Sequence, residues 1–150
     1  MRVVFFILLT VFLAACKEDE LTNQIVVHQN GLIVPVPEGF NIEKQPNGFR
    51  FVEAGQLRTP RQVTVSYVAS QPVGVFDHHR HLRYATAFYS VDHHLGGSAG
   101  RIFDFRAMKP DRKGWVVIAA TDQTEWVRPD FDLAWQMLDR AQGRYNAQGR

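Results

Sequence analysis

Apolar and polar residues alternate along residues 62–68, whose sequence is Gln-Val-Thr-Val-Ser-Tyr-Val. A period of two predicts a β-strand with one face towards a core. Two apolar runs, residues 25–28 and 32–36, flank Gln-Asn-Gly at residues 29–31. Asn-Gly between apolar runs favours a β-hairpin because both residues tolerate a positive φ. The first half of the chain therefore predicts short antiparallel strands.

Three further segments in the second half of the chain predict strands. Residues 101–108 alternate, with Phe103 and Phe105 on the inner side. Residues 115–120 are apolar at every position, which predicts a central strand that is covered on both faces. Residues 82–91 are rich in aromatic and β-branched residues and favour a strand, with a helix as the alternative.

Residues 129–141 have the pattern of an amphipathic helix. Pro129 suits the first turn, and Asp130 and Asp132 complement the positive start of a helix. One apolar stripe falls at helical spacing and consists of Phe131, Ala134, Trp135 and Leu138. Together these elements predict an α+β domain, an antiparallel twisted sheet with the C-terminal amphipathic helix packed on one face.

The first sixteen residues follow a different pattern. Arg2 provides a positive start, residues 3–13 are apolar apart from one threonine, and two alanines precede Cys16. This order predicts an export signal at residues 1–15 and not a membrane span, which needs about 20 apolar residues. Leu-Ala-Ala-Cys resembles the lipobox of bacterial lipoproteins, which implies cleavage before Cys16 and lipidation of that residue. The alternative is an ordinary signal peptide with an incidental cysteine.

Cleavage after residue 15 would leave 135 of the 150 residues, enough for one domain with one core. Residues 16–22 are predicted to form the lipidated cysteine and a tether, residues 23–143 a single domain, and residues 144–150 a frayed tail. Lys17 follows the cysteine where an aspartate would signal retention, and this resembles outer-membrane sorting. We therefore expect a lipid-anchored protein on the outer membrane, facing the periplasm.

The charge balance and the cysteine count exclude several functions. The chain has a formal net charge of +2, and loss of Arg2 with the signal leaves 16 basic against 15 acidic side chains. A chain without excess basic charge is not expected to bind nucleic acid. The only cysteine is assigned to the lipid, so neither disulfides nor a cysteine metal site is expected.

Residues 96–100, Gly-Gly-Ser-Ala-Gly, match the Gly-x-Ser-x-Gly elbow of hydrolases. That elbow requires a strand before it, a helix after it, and an aspartate and then a histidine later in the chain. Here a predicted strand follows, and the last histidine is His94. We therefore predict an ordinary glycine-rich loop and no catalytic serine.

Two groups of histidines raise the question of a metal site: His78, His79 and His81 beside Asp77, and His93 and His94 beside Asp92. A continuous strand between them would hold the groups roughly 40 Å apart, and a helix about 20 Å. A shared site would require the chain to fold back, and no spacing such as His-Glu-x-x-His occurs. We therefore predict neither a metal nor a cofactor.

The predicted connection between the central strand and the helix, residues 122–126, is the candidate site. Its sequence, Asp-Gln-Thr-Glu-Trp, combines two carboxylates, an amide and an indole. Tryptophan and charged residues on a loop held by rigid elements are typical binding anchors. We predict partner binding through Asp122, Gln123, Glu125 and Trp126. A plain polar loop and an acid–base site are the alternatives.

In layout the chain resembles PsbP-like domains, with a lipoprotein signal, Gly-Leu-Ile-Val-Pro-Val-Pro-Glu-Gly-Phe at residues 31–40, later strands and a closing helix. Gln123-x-Glu125 followed by Pro-Asp-Phe-Asp-Leu-Ala-Trp at residues 129–135 is similar to small immunity lipoproteins of type VI secretion systems. Such proteins guard the periplasm against effectors that cut peptidoglycan.

This resemblance implies a non-enzymatic inhibitor that occupies the substrate cleft of a cell-wall-degrading toxin. Glu125 matches the acidic position of the motif and would be the inserted residue, while Trp126 would supply buried area. The alternative is a generic envelope lipoprotein that binds a small ligand or another envelope protein.

Overall fold

The structure, a computed structural model, describes residues 20–55, 59–97, 100–124 and 128–143. The predicted signal at 1–15, Cys16 and the tail at 144–150 lie outside them. No helix within the described ranges has the length and apolar character needed to cross a membrane. In chain order the elements are β1 (Leu21–Val27), β2 (Leu32–Pro37), β3 (Phe40–Gln45), β4 (Gly48–Glu53), β5 (Gln62–Val68), β6 (His78–His81), β7 (Thr86–Leu95), β8 (Arg101–Asp111), β9 (Gly114–Thr124), α1 (Asp132–Arg140) and β10 (Gln142–Gly143).

The strands form two antiparallel sheets. The large sheet has seven strands in the order β3-β4-β5-β9-β8-β7-β6. The small sheet has three strands in the order β1-β2-β10, so the last strand of the described chain pairs with the second. Most neighbours in the large sheet are also neighbours in sequence, which is typical of chains built from hairpins.

The predicted α+β class, with a helix packed on one face of a single PsbP-like sheet, is wrong. The described chain is mostly β, with two sheets and one short helix. The nine residues of α1 span about 14 Å, whereas seven strands extend across about 29 Å. The helix is therefore too short to cover the large sheet. The small sheet shares this task, and α1 packs against strands of both sheets, chiefly β2 and β9 and also β1 and β8.

The core lies between one face of the large sheet and a second layer made of α1 and the small sheet. Phe51, Val65 and Ile118 of the large sheet are fully buried, together with Leu32 of β2 and Leu138 of α1. Each such side chain stabilises the fold by about 1.5–3 kcal/mol relative to its exposed state. This second layer fixes the end of β9, where the candidate site begins.

The central strand β9 is packed on only one of its faces. Val116, Ile118 and Ala120 are buried, whereas Val117 is half-buried and Ala119 is exposed. The prediction that this strand is covered on both faces is therefore wrong. One face of an antiparallel sheet can remain in water, and apolar atoms supply more than half of the accessible surface of folded proteins.

Several local predictions are confirmed. Residues 62–68 form β5 with the predicted bounds. The hairpin around Asn30 is present, since β1 pairs with β2 and Gly31 has a φ of 88°. The C-terminal helix is present but begins three residues later than predicted. The Asp132 N–H at its start donates to the Asp130 carboxylate over 3.0 Å.

Two predicted strands have different bounds. The strand predicted at residues 82–91 is β7, which begins only at Thr86. The Leu82 N–H donates to the Ala85 carbonyl over 2.8 Å and closes a turn before it. Strand β8 continues beyond its predicted end and includes Pro110, which the sequence placed in a turn.

His28 links the two sheets. It is 2% exposed, and its Nε2 lies 2.9 Å from the Gln45 carbonyl oxygen of β3. Its Nδ1 accepts the Asn30 N–H over 3.3 Å, and its ring meets the Phe49 ring edge-on, with centroids 5.4 Å apart. A neutral imidazole with its proton on Nε2 satisfies both hydrogen bonds. This histidine is therefore part of the packing and not of a surface site.

Candidate partner-binding site at one end of the large sheet

The end of β7, the start of β8 and the end of β9 meet at one end of the large sheet. Leu95 pairs with Arg101, and Arg101 pairs with Thr124 on its other side. Antiparallel pairing brings these termini together, because each strand begins where its neighbour ends. We call this region, defined by Leu95, Arg101, Gln123 and Thr124, the loop end of the large sheet.

The Asp122 carboxylate ties the end of β9 to the start of α1. Its Oδ2 accepts the backbone N–H of Asp130 over 2.7 Å, and Asp130 in turn accepts the N–H of Asp132 through Oδ1. A hydrogen bond from N–H to a carboxylate is stronger than one between neutral groups. The side chains of Asp122 and Asp130 thus hold the end of β9 close to the start of α1. We call these two residues the neck.

The structure separates the two predicted site residues that it describes. Asp122 and Gln123 lie in β9, so the prediction of a loop from residue 122 is wrong at that end. Successive strand residues point to opposite faces. Asp122 faces α1, while Gln123, opposite Ile102 of β8, faces the other way. Glu125 and Trp126 lie outside the described residues, and their role stays a prediction.

The sequence predicted the two strands and the glycine-rich loop of the β7–β8 hairpin, but not that the tip of this hairpin belongs to the loop end. Leu95 is 83% exposed, and Arg101 is exposed beside it. The sequence signal for an exposed Leu95 was its position directly before two glycines, which are typical of a turn. A side chain at the tip of a hairpin cannot reach the core. Binding residues are commonly carried on such connections between rigid strands.

The Gly-x-Ser-x-Gly segment connects two antiparallel strands. The Gly96 N–H donates to the Gly100 carbonyl over 2.8 Å, and Gly97 and Gly100 have φ values of 65° and 81°. β8 follows it where a nucleophile elbow would have a helix. The segment is therefore a hairpin connection that positions Leu95 and Arg101.

A cluster of charged side chains lies next to the neck. Arg61 contacts Glu20 through Nη1 at 2.7 Å and Glu53 through Nη2 at 2.9 Å. The hydrogen bond from Arg61 is the main reason why the pKa of Glu53 lies below its ordinary value, and burial partly opposes it. Arg61 also lines a narrow cleft with Asp122 and Asp130. The cluster therefore connects Glu20, at the start of the described chain, to Arg61, which lies beside Asp122 and Asp130 at the candidate site.

Replacing Arg61 by glutamine should raise the pKa of Glu53 towards 4.5, its ordinary value. Because the pKa of Glu53 is lower in the folded state than in the unfolded state, its ionised form stabilises the fold at pH values above the unfolded-state pKa. This stabilisation is lost as the pH falls through the folded-state pKa. Arg61→Gln should therefore cost under about 1 kcal/mol near neutral pH, because the pair is partly exposed, and almost nothing once the pH lies below the folded-state pKa of Glu53. NMR titration of Glu53 with melts at several pH values measures both effects.

Arg50→Gln is the matched control, because Arg50 pairs with Glu43 and not with Glu53. The Glu53 titration should be the same in this variant as in the unaltered protein. A Glu53 titration that does not change in Arg61→Gln would contradict the assigned cause.

The two histidine groups lie closer together than a continuous strand would place them. His78 pairs with Tyr89 in the β6–β7 hairpin, and Tyr89 is only about 13 Å along β7 from His93. The separation of roughly 40 Å does not apply, because the turn at residues 82–85 folds the chain back. In the described part of the chain, no group of three or more His, Cys, Asp or Glu side chains is placed to hold a metal ion.

A groove of about 380 Å³ lies between the β6–β7 turn and α1. The Arg80 guanidinium carbon lies 4.6 Å from the centroid of the Trp135 ring. The Arg83 N–H donates to Asp139 over 3.0 Å across the groove. Groups of both charges line it, so its chemistry suits a small polar molecule rather than an apolar one.

Comparison with known proteins defines the class of this β-rich domain. Residues 33–142 match the model of the type six secretion immunity 3 domain. This match runs from the second residue of β2 to the end of α1 and into β10. The chain belongs to this family of type VI secretion immunity proteins. Its relatives include the immune protein Tsi3 of Pseudomonas aeruginosa, which is 38% identical over 143 residues, or 94% of this chain and 98% of the relative. The predicted resemblance to type VI immunity proteins is confirmed.

Proposed function

We propose that this immunity protein is a periplasm-facing lipoprotein that binds and inhibits a peptidoglycan-degrading effector, and that it catalyses no reaction itself. Membership of the immunity family supports a protein partner. The order of positive start, apolar run and Leu-Ala-Ala-Cys at residues 13–16 supports export and lipid attachment. An effector that cuts peptidoglycan acts in the same compartment.

The observation that carries the proposed binding mode is the hydrogen bond between Asp122 and Asp130. It fixes both ends of the segment that contains Glu125 and Trp126, one end to the central strand and the other to the helix. A segment with fixed ends loses little conformational freedom on binding, so more of its contact energy is available as affinity. Glu125 would enter the effector's cleft, and Trp126 would cover its rim.

Glu125→Ala should weaken binding of the cognate effector by about 2 kcal/mol or more, and Glu125→Gln by somewhat less. The reason is that a carboxylate inside a cleft pairs with charged or donor groups that would be left without a partner. A binding isotherm measures the loss, and clearing of a peptidoglycan suspension by the effector measures the lost inhibition. Thermal melts on the same samples should hardly change.

Glu43→Ala is the matched control, because Glu43 is an exposed carboxylate on β3 at the edge of the large sheet. It should bind the effector like the unaltered chain. Unchanged affinity of Glu125→Ala would place the binding surface elsewhere. A collapsed melting curve would give Glu125 a structural role instead.

The alternative, an envelope lipoprotein for a small ligand, has the groove beside Arg80 and Trp135 in its favour. The same isotherms separate the two functions, because a lipoprotein for a small ligand would show no binding of the effector by the unaltered chain. Under the effector hypothesis Arg80→Gln leaves effector binding unchanged, because the groove is formed by β6 and α1 and not by the neck. Lost effector binding in Arg80→Gln, with Glu125→Ala unaffected, would move the interface to the groove.

A further inference from the structure

The outer face of the small sheet carries an apolar strip. Ile25 and Val27 of β1 are 59% and 53% exposed, whereas Val26 between them packs against the core. In β2, Ile33 lies opposite Val27 and Pro35 opposite Ile25. Because strand residues alternate between faces, these four residues share one face, on which Ile25 and Val27 are exposed, Ile33 is half-buried and Pro35 is buried. We call them the β1–β2 strip.

Neither strand of this strip has a charged side chain. β1 reads Leu-Thr-Asn-Gln-Ile-Val-Val and β2 reads Leu-Ile-Val-Pro-Val-Pro. A charged side chain would have to be moved out of water if this face entered a less polar phase, at a large cost in free energy. The β1–β2 strip can therefore contact an apolar surface without the free-energy cost of moving a charged side chain out of water.

The strip is also close to the proposed lipid anchor. β1 begins at Leu21, five residues beyond Cys16. Five extended residues reach at most about 18 Å, and the headgroup region of one leaflet is about 5–8 Å thick. A lipidated Cys16 would therefore keep β1 within a short distance of the membrane surface.

We propose that the β1–β2 strip rests on the lipid bilayer, with Ile25 and Val27 entering the headgroup region. This inference rests on the proposed lipidation of Cys16. A second copy of the chain is a poorer occupant. A stable interface buries about 800 Å² on each partner, several times what two half-exposed aliphatic side chains supply. A bilayer accepts small apolar contacts because the acyl chains already provide the attachment.

The test uses the acylated mature chain in vesicles of phosphatidylethanolamine and phosphatidylglycerol. Cys16 is the only cysteine, so its sulfur is occupied by the lipid and Val27→Cys introduces a single free thiol. An NBD fluorophore on this thiol should brighten several-fold on reconstitution and be quenched by nitroxide lipids. Ile25→Cys, on the same face, should behave alike.

Val75→Cys is the control, since Val75 is 82% exposed and lines a cavity with Ser90 and Arg106 on the face of the large sheet that is turned away from the small sheet. Its NBD label should neither brighten nor be quenched by lipid. Equal quenching at Val75 and Val27, or quenching of the Val27 label only by an aqueous quencher, would overturn the inference. So would a label shielded from both quenchers, which would mean that protein covers the strip.

Flotation of the same samples separates the inference from the proposed function. Vesicle-bound protein with an unquenched Val27 label refutes only the contact between the strip and lipid. Protein that does not float with vesicles refutes the lipid anchor, and the inference falls with it. The Cys16→Ser form provides the unanchored reference. Concentration-dependent self-association of that form through Ile25 and Val27 would identify a second copy as the occupant and overturn the inference.

Discussion

Gly48→Ala should lower the free energy of unfolding by about 4 kcal/mol, which is among the largest effects that a single methyl group can have. A Cβ atom at this position would lie 2.0 Å from the Val65 carbonyl oxygen and 2.8 Å from the Ser66 Cα. Both atoms belong to the backbone of β5, and Gly48 pairs directly with Ser66. Neither can move away without separating β4 from β5 at the point where the ladder begins.

Urea unfolding of the soluble mature chain with Cys16→Ser measures this loss, and Gly39→Ala is its control. Gly39 has a φ of 75°, and no atom lies within 4 Å of an added Cβ. That substitution should cost about 1 kcal/mol through backbone strain alone. A Gly48→Ala variant as stable as Gly39→Ala would show that the two strands separate there at little cost, contrary to the predicted clash.

Phe105→Ala should destabilise the protein by about 3–5 kcal/mol, the range found when a buried phenylalanine is truncated. Phe105 is 1% exposed and lies where both layers of the core meet. Its ring centroid is 4.9 Å from those of Phe131 and Trp135 and 6.3 Å from that of Tyr89. Truncation removes three ring contacts and leaves a cavity beneath the helix.

Val117→Ala is the control for this substitution, because Val117 is half-buried on the uncovered face of the neighbouring strand. It should cost clearly less than Phe105→Ala in the same urea titration. Similar losses for both variants would mean that the uncovered face stabilises the sheet as much as the core does. The division of the large sheet into a packed face and an open face would then need revision.

Local patterns in the sequence were sufficient to predict several elements. The alternation at residues 62–68 predicted β5 with its bounds, and Asn30-Gly31 predicted the first hairpin. The helix followed from its apolar stripe. Each of these signals depends on residues that are close together in the chain, and local patterns report such structure well.

Features that depend on distant residues were missed. β10 has only two residues and pairs with β2, so no local pattern reveals the small sheet. The apolar run in β9 indicated two covered faces, yet Ala119 is exposed. The turn at residues 82–85 changed the spacing of the histidines. Hydrophobicity alone does not tell which apolar residues a second layer will reach.

The candidate site was likewise predicted only as far as local sequence patterns allow. Its location at the end of the central strand followed from the sequence. The function of Asp122 did not, because its hydrogen-bond partner, Asp130, is eight residues away and lies just before α1. Leu95 and Arg101 reach the site only through the register of β7 and β8. Side chains that meet through strand register cannot be paired from composition or spacing alone.

The uncovered face of the large sheet has an evolutionary consequence. Positions such as Thr64 and Ala119 lie on rigid central strands and face away from the layer formed by α1 and the small sheet. Substitutions there should cost little stability, because surface changes away from packed groups usually do. Side chains on this face can therefore be exchanged while the two-layer framework of the domain stays the same.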